Sequence, residues 1–191
     1  MAELAGALEA IAAALEEHDR AGAEAALLRL RAIERPAEQF VDDLGRLRET
    51  VLIAPTNWYR RGAVDRLAAA APHIDHAIRN ARVLARAARR AIDLEPALPP
   101  GLPGSVRLLA EASRTLFGQL LADAPAARET GLLLDAAGLA THALDAGASL
   151  STGALAGQVR SIALDLLVAA GVPADEAVRS VRRAGVAPTP D

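Results

Sequence analysis

Apolar residues recur at helical spacing along most of the chain, and that period predicts a bundle of seven to eight α-helices. Leu4, Leu8, Ile11 and Leu15 mark a first helix over residues 2–17, and Asp19 and Gly22 mark the turn that follows. Leu27, Leu28, Leu30 and Ile33 define a second helix that should stop at Pro36. That proline suits the first turn of a third helix, carrying Phe40, Val41, Leu44, Leu47 and Val51 to about Pro55. After the Pro55-Thr56-Asn57 break, a long helix is expected from about Arg60 to Asp93, kinked at Pro72. One side of it holds Ile74, Ala77, Ile78, Ala81, Leu84, Ala85, Ala88 and Ile92. Another holds Arg79, Arg82, Arg86 and Arg90.

Residues 94–104 hold four prolines and two glycines, the strongest punctuation in the chain. They divide it into an N-terminal helical sub-bundle (1–93), a Pro/Gly linker (94–104) and a C-terminal helical sub-bundle (105–191). In the second half the pattern predicts helices from about Ser105 to Ala122 and from near Pro125 to near Gly147. A Gly/Ser/Thr loop follows at 148–153. Leu155, Val159, Ile162, Leu166 and Ala170 form the next apolar stripe, and Gly171 is placed to end that helix. Pro173 opens the last helix, with Asp175 and Glu176 in its first turn and Arg182 and Arg183 in its last, as the helix dipole favours. No stretch alternates with period two, and no repeat of fixed length occurs. The fold class is all-α.

Composition sharpens this picture. The chain is 52% hydrophobic but only 2% aromatic, so Ala supplies close packing and Leu, Ile and Val the burial. A net charge of −3 argues against a nucleic-acid partner, although all 21 cationic residues are Arg. Without cysteine there is no disulfide framework, no Cys-based zinc site and no thiol nucleophile. Charges such as Asp135 and Asp145 interrupt every run that approaches the ~18 apolar residues of a spanning helix, and no signal peptide is visible, so the chain reads as soluble.

Few residues propose chemistry. The Arg79/Arg82/Arg86/Arg90 stripe reads either as an anion site, for phosphate, a carboxylated small molecule or lipid headgroups, or as a solvated face paired with acids of neighbouring helices. His73 and His76 have a spacing that can hold a metal, and Asp135, His142 and Asp145 can share a helix face. Neither set has a converging second cluster, so no metal site is assigned. No Gly-x-Ser-x-Gly elbow, Walker loop or paired-Gly fingerprint occurs, and neither a cofactor nor an enzymatic activity is implied. The final helix–Gly–helix unit, with Arg179, Arg182 and Arg183, has the outline of a DNA-reading motif. The acidic balance favours a plain helical hairpin. Trp58 and Tyr59 read equally as membrane-interface anchors or as filling between helices.

Three stretches carry a resemblance. They are Leu-Ile-Ala-Pro-Thr-Asn-Trp-Tyr-Arg-Arg at 52–61; residues 74–86 with Arg79-Asn80-x-Arg82, followed by Arg89-Arg90; and residues 157–172 with Gln158-x-Arg160 and Asp165-Leu166-Leu167, followed by Asp175-Glu176-Ala177. Their order and spacing resemble the cytoplasmic region of FUSC-family proteins, the aromatic acid exporter and fusaric acid resistance group. Ala-Leu-Leu-Arg-Leu-Arg at 26–31 fits the same region, and the resemblance covers nearly the whole chain.

The resemblance implies a helical domain at the cytoplasmic face of the cell membrane, attached to a membrane-spanning part of the same protein that exports aromatic carboxylic acids. This sequence lacks the spanning helices, so it stands either as an excised piece or as a stand-alone relative, and transport is not a property of these residues. The expected role is assembly, stability or regulation of the membrane part. Its expected surface is Arg79, Arg82, Arg86 and Arg90 together with Gln158, Arg160 and Asp165. The membrane-spanning part is the expected partner, a second copy of the chain another. The alternative is a stand-alone helical adaptor that binds other proteins through an Ala/Leu groove.

Overall fold

The computed structural model describes residues 1–53, 58–122, 126–146 and 149–185, and every regular element among them is helical. Seven helices follow one another: α1 (Ala2–Glu17), α2 (Arg20–Ile53), α3 (Trp58–Leu94), α4 (Gly101–Ala122), α5 (Ala127–Ala146), α6 (Leu150–Ala169) and α7 (Ala174–Arg183). The Pro55-Thr56-Asn57 break, the start near Pro125 and the roles proposed for the Trp58 and Tyr59 side chains lie outside the described residues.

Three boundaries differ from the sequence expectation. Pro36 does not separate two helices; it lies inside α2, which runs unbroken from Arg20 to Ile53. A proline there leaves the Ala32 carbonyl without its helical donor. Ala32 and Pro36 are both exposed, so water can satisfy that oxygen, while Leu30 and Leu44 stay buried on either side. The punctuated segment is also shorter than expected. Helix α4 begins at Gly101, and Leu102 and Pro103 are buried in its first turn. Proline is tolerated there because first-turn N–H groups have no helical acceptor to lose. Finally, α6 begins at Leu150, inside the expected 148–153 loop. Ser149 caps it by accepting a hydrogen bond from the Thr152 amide at 3.1 Å.

The ends that the sequence marked most clearly close as expected. At Gly171 (φ 93) the Gly171 amide reaches the Val168 carbonyl at 3.0 Å and the Val172 amide the Leu167 carbonyl at 3.1 Å, the paired bonds of a Schellman end. At the end of α1 the left-handed residue is His18 (φ 56), whose Nε2 lies 2.9 Å from the Glu95 carbonyl oxygen. Asp19 accepts the Ala21 amide at 2.9 Å, and Arg20 pairs with Asp93 at 3.0 Å. The α1–α2 turn is thereby fastened over the C-terminal end of α3.

Residues from both sides of the Pro/Gly segment enter one apolar core. Leu8 and Ile11 of α1, Leu30 of α2, Leu84 of α3, Leu109 and Leu116 of α4, Leu133 of α5 and Ile162 and Leu166 of α6 are all fully buried in it. Alanines fill the rest, among them Ala77, Ala81, Ala85 and Ala88 along α3. The helices differ in reach. At 1.5 Å per residue, α2 and α3 extend about 51 and 55 Å, against about 24 Å for α1. Met1 lies beside Ile33 and Pro36, so α1 begins level with Pro36. Beyond that level α2 and α3 run on together, burying Leu44, Leu67, Ala70 and Ala71.

Candidate interaction face along α3 and α6

Helices α3 and α6 lie side by side and carry all seven residues singled out in the sequence. The four singled-out arginines of α3 do not act as one stripe. Arg79 turns back to Asp75 on its own helix at 2.9 Å. Arg82 forms an ion pair with Glu34 of α2, and neighbouring Arg89 reaches Glu24 of α2 at 2.9 Å. Arg86 and Arg90 are exposed, and among the described residues neither has a carboxylate partner. The spacing of the four on one strip was visible in the sequence; which of them meet acids of α2 depends on how α2 is docked.

The α6 residues separate in the same way. Asp165 accepts a hydrogen bond from the Asn80 side-chain amide at 2.7 Å, joining α6 to α3. Burial raises its carboxyl above the ordinary carboxylate range; the Asn80 bond and the nearby His76 and His73 act in the opposite direction. Arg160 points the other way and donates to Thr141 Oγ1 of α5 at 2.5 Å. The Gln158 side-chain oxygen is buried without a hydrogen-bond partner. Asp165 and Arg160 therefore tie α6 to α3 and α5.

His73 and His76 pack edge to face with ring centroids 6.2 Å apart. His142 lies 3.6 Å from Asp145 on its own helix. Among the described residues, no group of three His, Cys, Asp or Glu side chains is arranged to hold a metal ion. In the last helix, Arg179 pairs with Asp175 at 2.8 Å.

Where α3 ends beside the start of α6, a groove of about 500 Å³ opens. Arg86, Arg90 and Leu94 line it from α3, and Leu150 and Ala154 from α6. Leu94 is 73% exposed and Leu150 is 95% exposed, an apolar pair left in solvent beside two unpaired guanidinium groups. Leu94 and Leu150 were not singled out from the sequence: one fell in the expected linker and the other in an expected loop.

A second feature was equally hidden. Glu129, in the first turn of α5, is 1% exposed; its Oε1 accepts from Thr115 Oγ1 at 2.7 Å, while its Oε2 has no partner. A glutamate one turn into a helix reads as a surface residue, and only the α4–α5 packing buries it.

Among the described residues, no helix is long and apolar enough to cross a membrane. No protein-family model, curated protein or solved structure matches the chain.

Proposed function

We propose that the chain is a helical assembly domain, without catalytic activity of its own, serving a membrane exporter of the FUSC type from the cytoplasmic face of the membrane. The observation that carries the assembly role is the pair Arg86 and Arg90, without carboxylate partners among the described residues and set beside the exposed Leu94 and Leu150. Exposed apolar side chains next to uncompensated charge mark a surface meant to be covered. Three other polar groups of this face are engaged within the fold: Arg82 with Glu34, Asp165 with Asn80 and Arg160 with Thr141.

The exporter setting is supported by the sequence resemblance of residues 52–61, 74–90 and 157–172. In that setting the translocation pathway belongs to the membrane-spanning part, and this domain holds or regulates that part. The same groove also suits a stand-alone adaptor with a soluble partner. Sequencing the reading frame on both sides of these codons in the source genome separates the two. Several apolar spans of ~20 residues in that frame support the exporter domain. A frame with none sinks it and leaves the adaptor.

A further inference from the structure

We infer that the groove between α3 and α6 docks an acidic amphipathic helix of a partner polypeptide. Two carboxylates one helical turn apart would meet Arg86 and Arg90, and an apolar side chain would fill the space beside Leu94 and Leu150. The inference rests on reading the chain as an interaction domain, and it adds the chemistry of the partner.

Charge comes first. Among the described residues, the only charged side chains lining the groove are Arg86 and Arg90. Carboxylates of α2 and α3 along this stretch pair with other arginines: Glu34 with Arg82, Glu24 with Arg89 and Asp93 with Arg20. Guanidinium groups bind carboxylates in planar, two-bond geometry, so the uncompensated pair selects an acidic surface.

Shape gives the secondary structure of that surface. Arg86 and Arg90 are four residues apart on α3, the interval at which a facing helix also repeats its side chains. From Val83 to Leu94 the groove follows α3 over twelve residues, about three helical turns. Ala87 and Ala154, small side chains on its two walls, let another backbone come close. An apolar stripe flanked by carboxylates is the helix-in-groove mode of recognition. A second copy docked through the same groove would set four guanidinium groups together, so like charge disfavours it. A flat anionic bilayer would meet the arginines but would leave the Ala-lined groove unfilled.

The test uses the full chain and a synthetic fourteen-residue helical peptide with Glu at two positions four apart beside a Leu stripe, read by fluorescence anisotropy. Binding should weaken at least tenfold in Arg86→Glu/Arg90→Glu. A peptide with Lys in place of the two Glu should bind that variant and not the wild type. Leu150→Gln should weaken the Glu peptide with both arginines intact. Circular dichroism melts confirm that the variants, all at exposed positions, remain folded. The inference is overturned if millimolar Glu peptide does not bind, if a scrambled peptide of the same composition binds equally well, or if the Arg variant keeps full affinity. It is also overturned if phosphatidylserine vesicles bind the wild type and the Glu peptide does not compete. Any of these results leaves the exporter reading standing on its own test, because peptide binding does not depend on neighbouring membrane spans.

Discussion

Asn80 of α3 donates its side-chain amide to Asp165 of α6 at 2.7 Å, bridging two helices that meet 85 positions apart in the chain. The carboxylate it meets is half-buried, and burial outweighs the bond and the two nearby histidines in setting its titration. A carboxyl raised in the folded state binds its proton more tightly folded than unfolded. Its contribution to stability is therefore complete below the ordinary value of 3.8 and is lost as pH rises through the raised folded value. Asp165→Asn removes this titration while keeping an acceptor for Asn80. At pH 7 its melting temperature should equal or exceed that of the wild type, and any advantage should vanish as pH falls below 3.8. Thermal melts of both proteins between pH 3 and 7 check this, and a clear loss at pH 7 would count against it.

Removing the other partner should do the opposite. Asn80→Ala leaves a half-buried carboxylate without its donor, at a cost of about 1–3 kcal/mol, the range for an unsatisfied buried acceptor. Urea unfolding at pH 7 measures it. A cost below about 0.5 kcal/mol would mean that water replaces the amide freely.

The arginines of α3 should divide by partner. Arg82, only 22% exposed and paired with Glu34, should cost about 1 kcal/mol when replaced by Ala, near the upper end for partly exposed ion pairs. Arg86→Ala and Arg90→Ala, at exposed positions without carboxylate partners, should each stay within about 0.5 kcal/mol of the wild type. Equal losses at all three arginines would restore the single solvated stripe.

Leu102 tests where the Pro/Gly segment ends. It is fully buried although it stands among glycines and prolines. Leu102→Ala should cost about 2–5 kcal/mol, as at any packed core leucine. Leu94→Ala, at an exposed position a few residues earlier, should cost less than about 0.5 kcal/mol. Chemical denaturation of the two variants decides whether residues 101–104 belong to the core or to a linker.

Two glycines with positive φ should respond differently to Ala. At Gly171 a Cβ would meet nothing within 4 Å, so the left-handed backbone alone sets a cost of about 1–2 kcal/mol. At Gly185 the Cβ would stand 2.7 Å from Thr141 Cβ and 2.8 Å from the Gly138 oxygen. That substitution should displace the chain end from α5, seen as faster amide exchange in α7 with a melting temperature that changes less than in Gly171→Ala.

Local cues and long-range packing account for what the sequence disclosed. The helical class followed from periodicity, and the end of α6 from Gly171 and the start of α7 from Pro173, because each signal acts within one turn. Pro36 and Leu102 were misread for a single reason. Proline and glycine argue locally for a break, but burial of Leu30 and Leu44 on either side of Pro36, and of Leu102 itself, carries the helix through. At the interaction face, the pattern placed Arg79, Arg82, Arg86 and Arg90 along one strip. It could not say that Glu34 of α2 engages Arg82 while no acid among the described residues pairs with Arg86, since that depends on residues about fifty positions away. Leu94 and Leu150 were concealed because they stand at the end of α3 and the start of α6, where the neighbouring Pro/Gly and Gly/Ser/Thr residues argue locally for linker and loop.

The most direct measurement is the size of the assembly that contains this chain after detergent extraction from its source cells, compared between the wild type and Arg86→Glu/Arg90→Glu. An assembly domain of an exporter predicts that the wild type is recovered with polypeptide bearing several apolar spans, in a complex that becomes smaller in the variant while the domain itself melts unchanged. Recovery of the wild type in the soluble fraction without any membrane-spanning polypeptide, or an assembly of the same size in both, would contradict it.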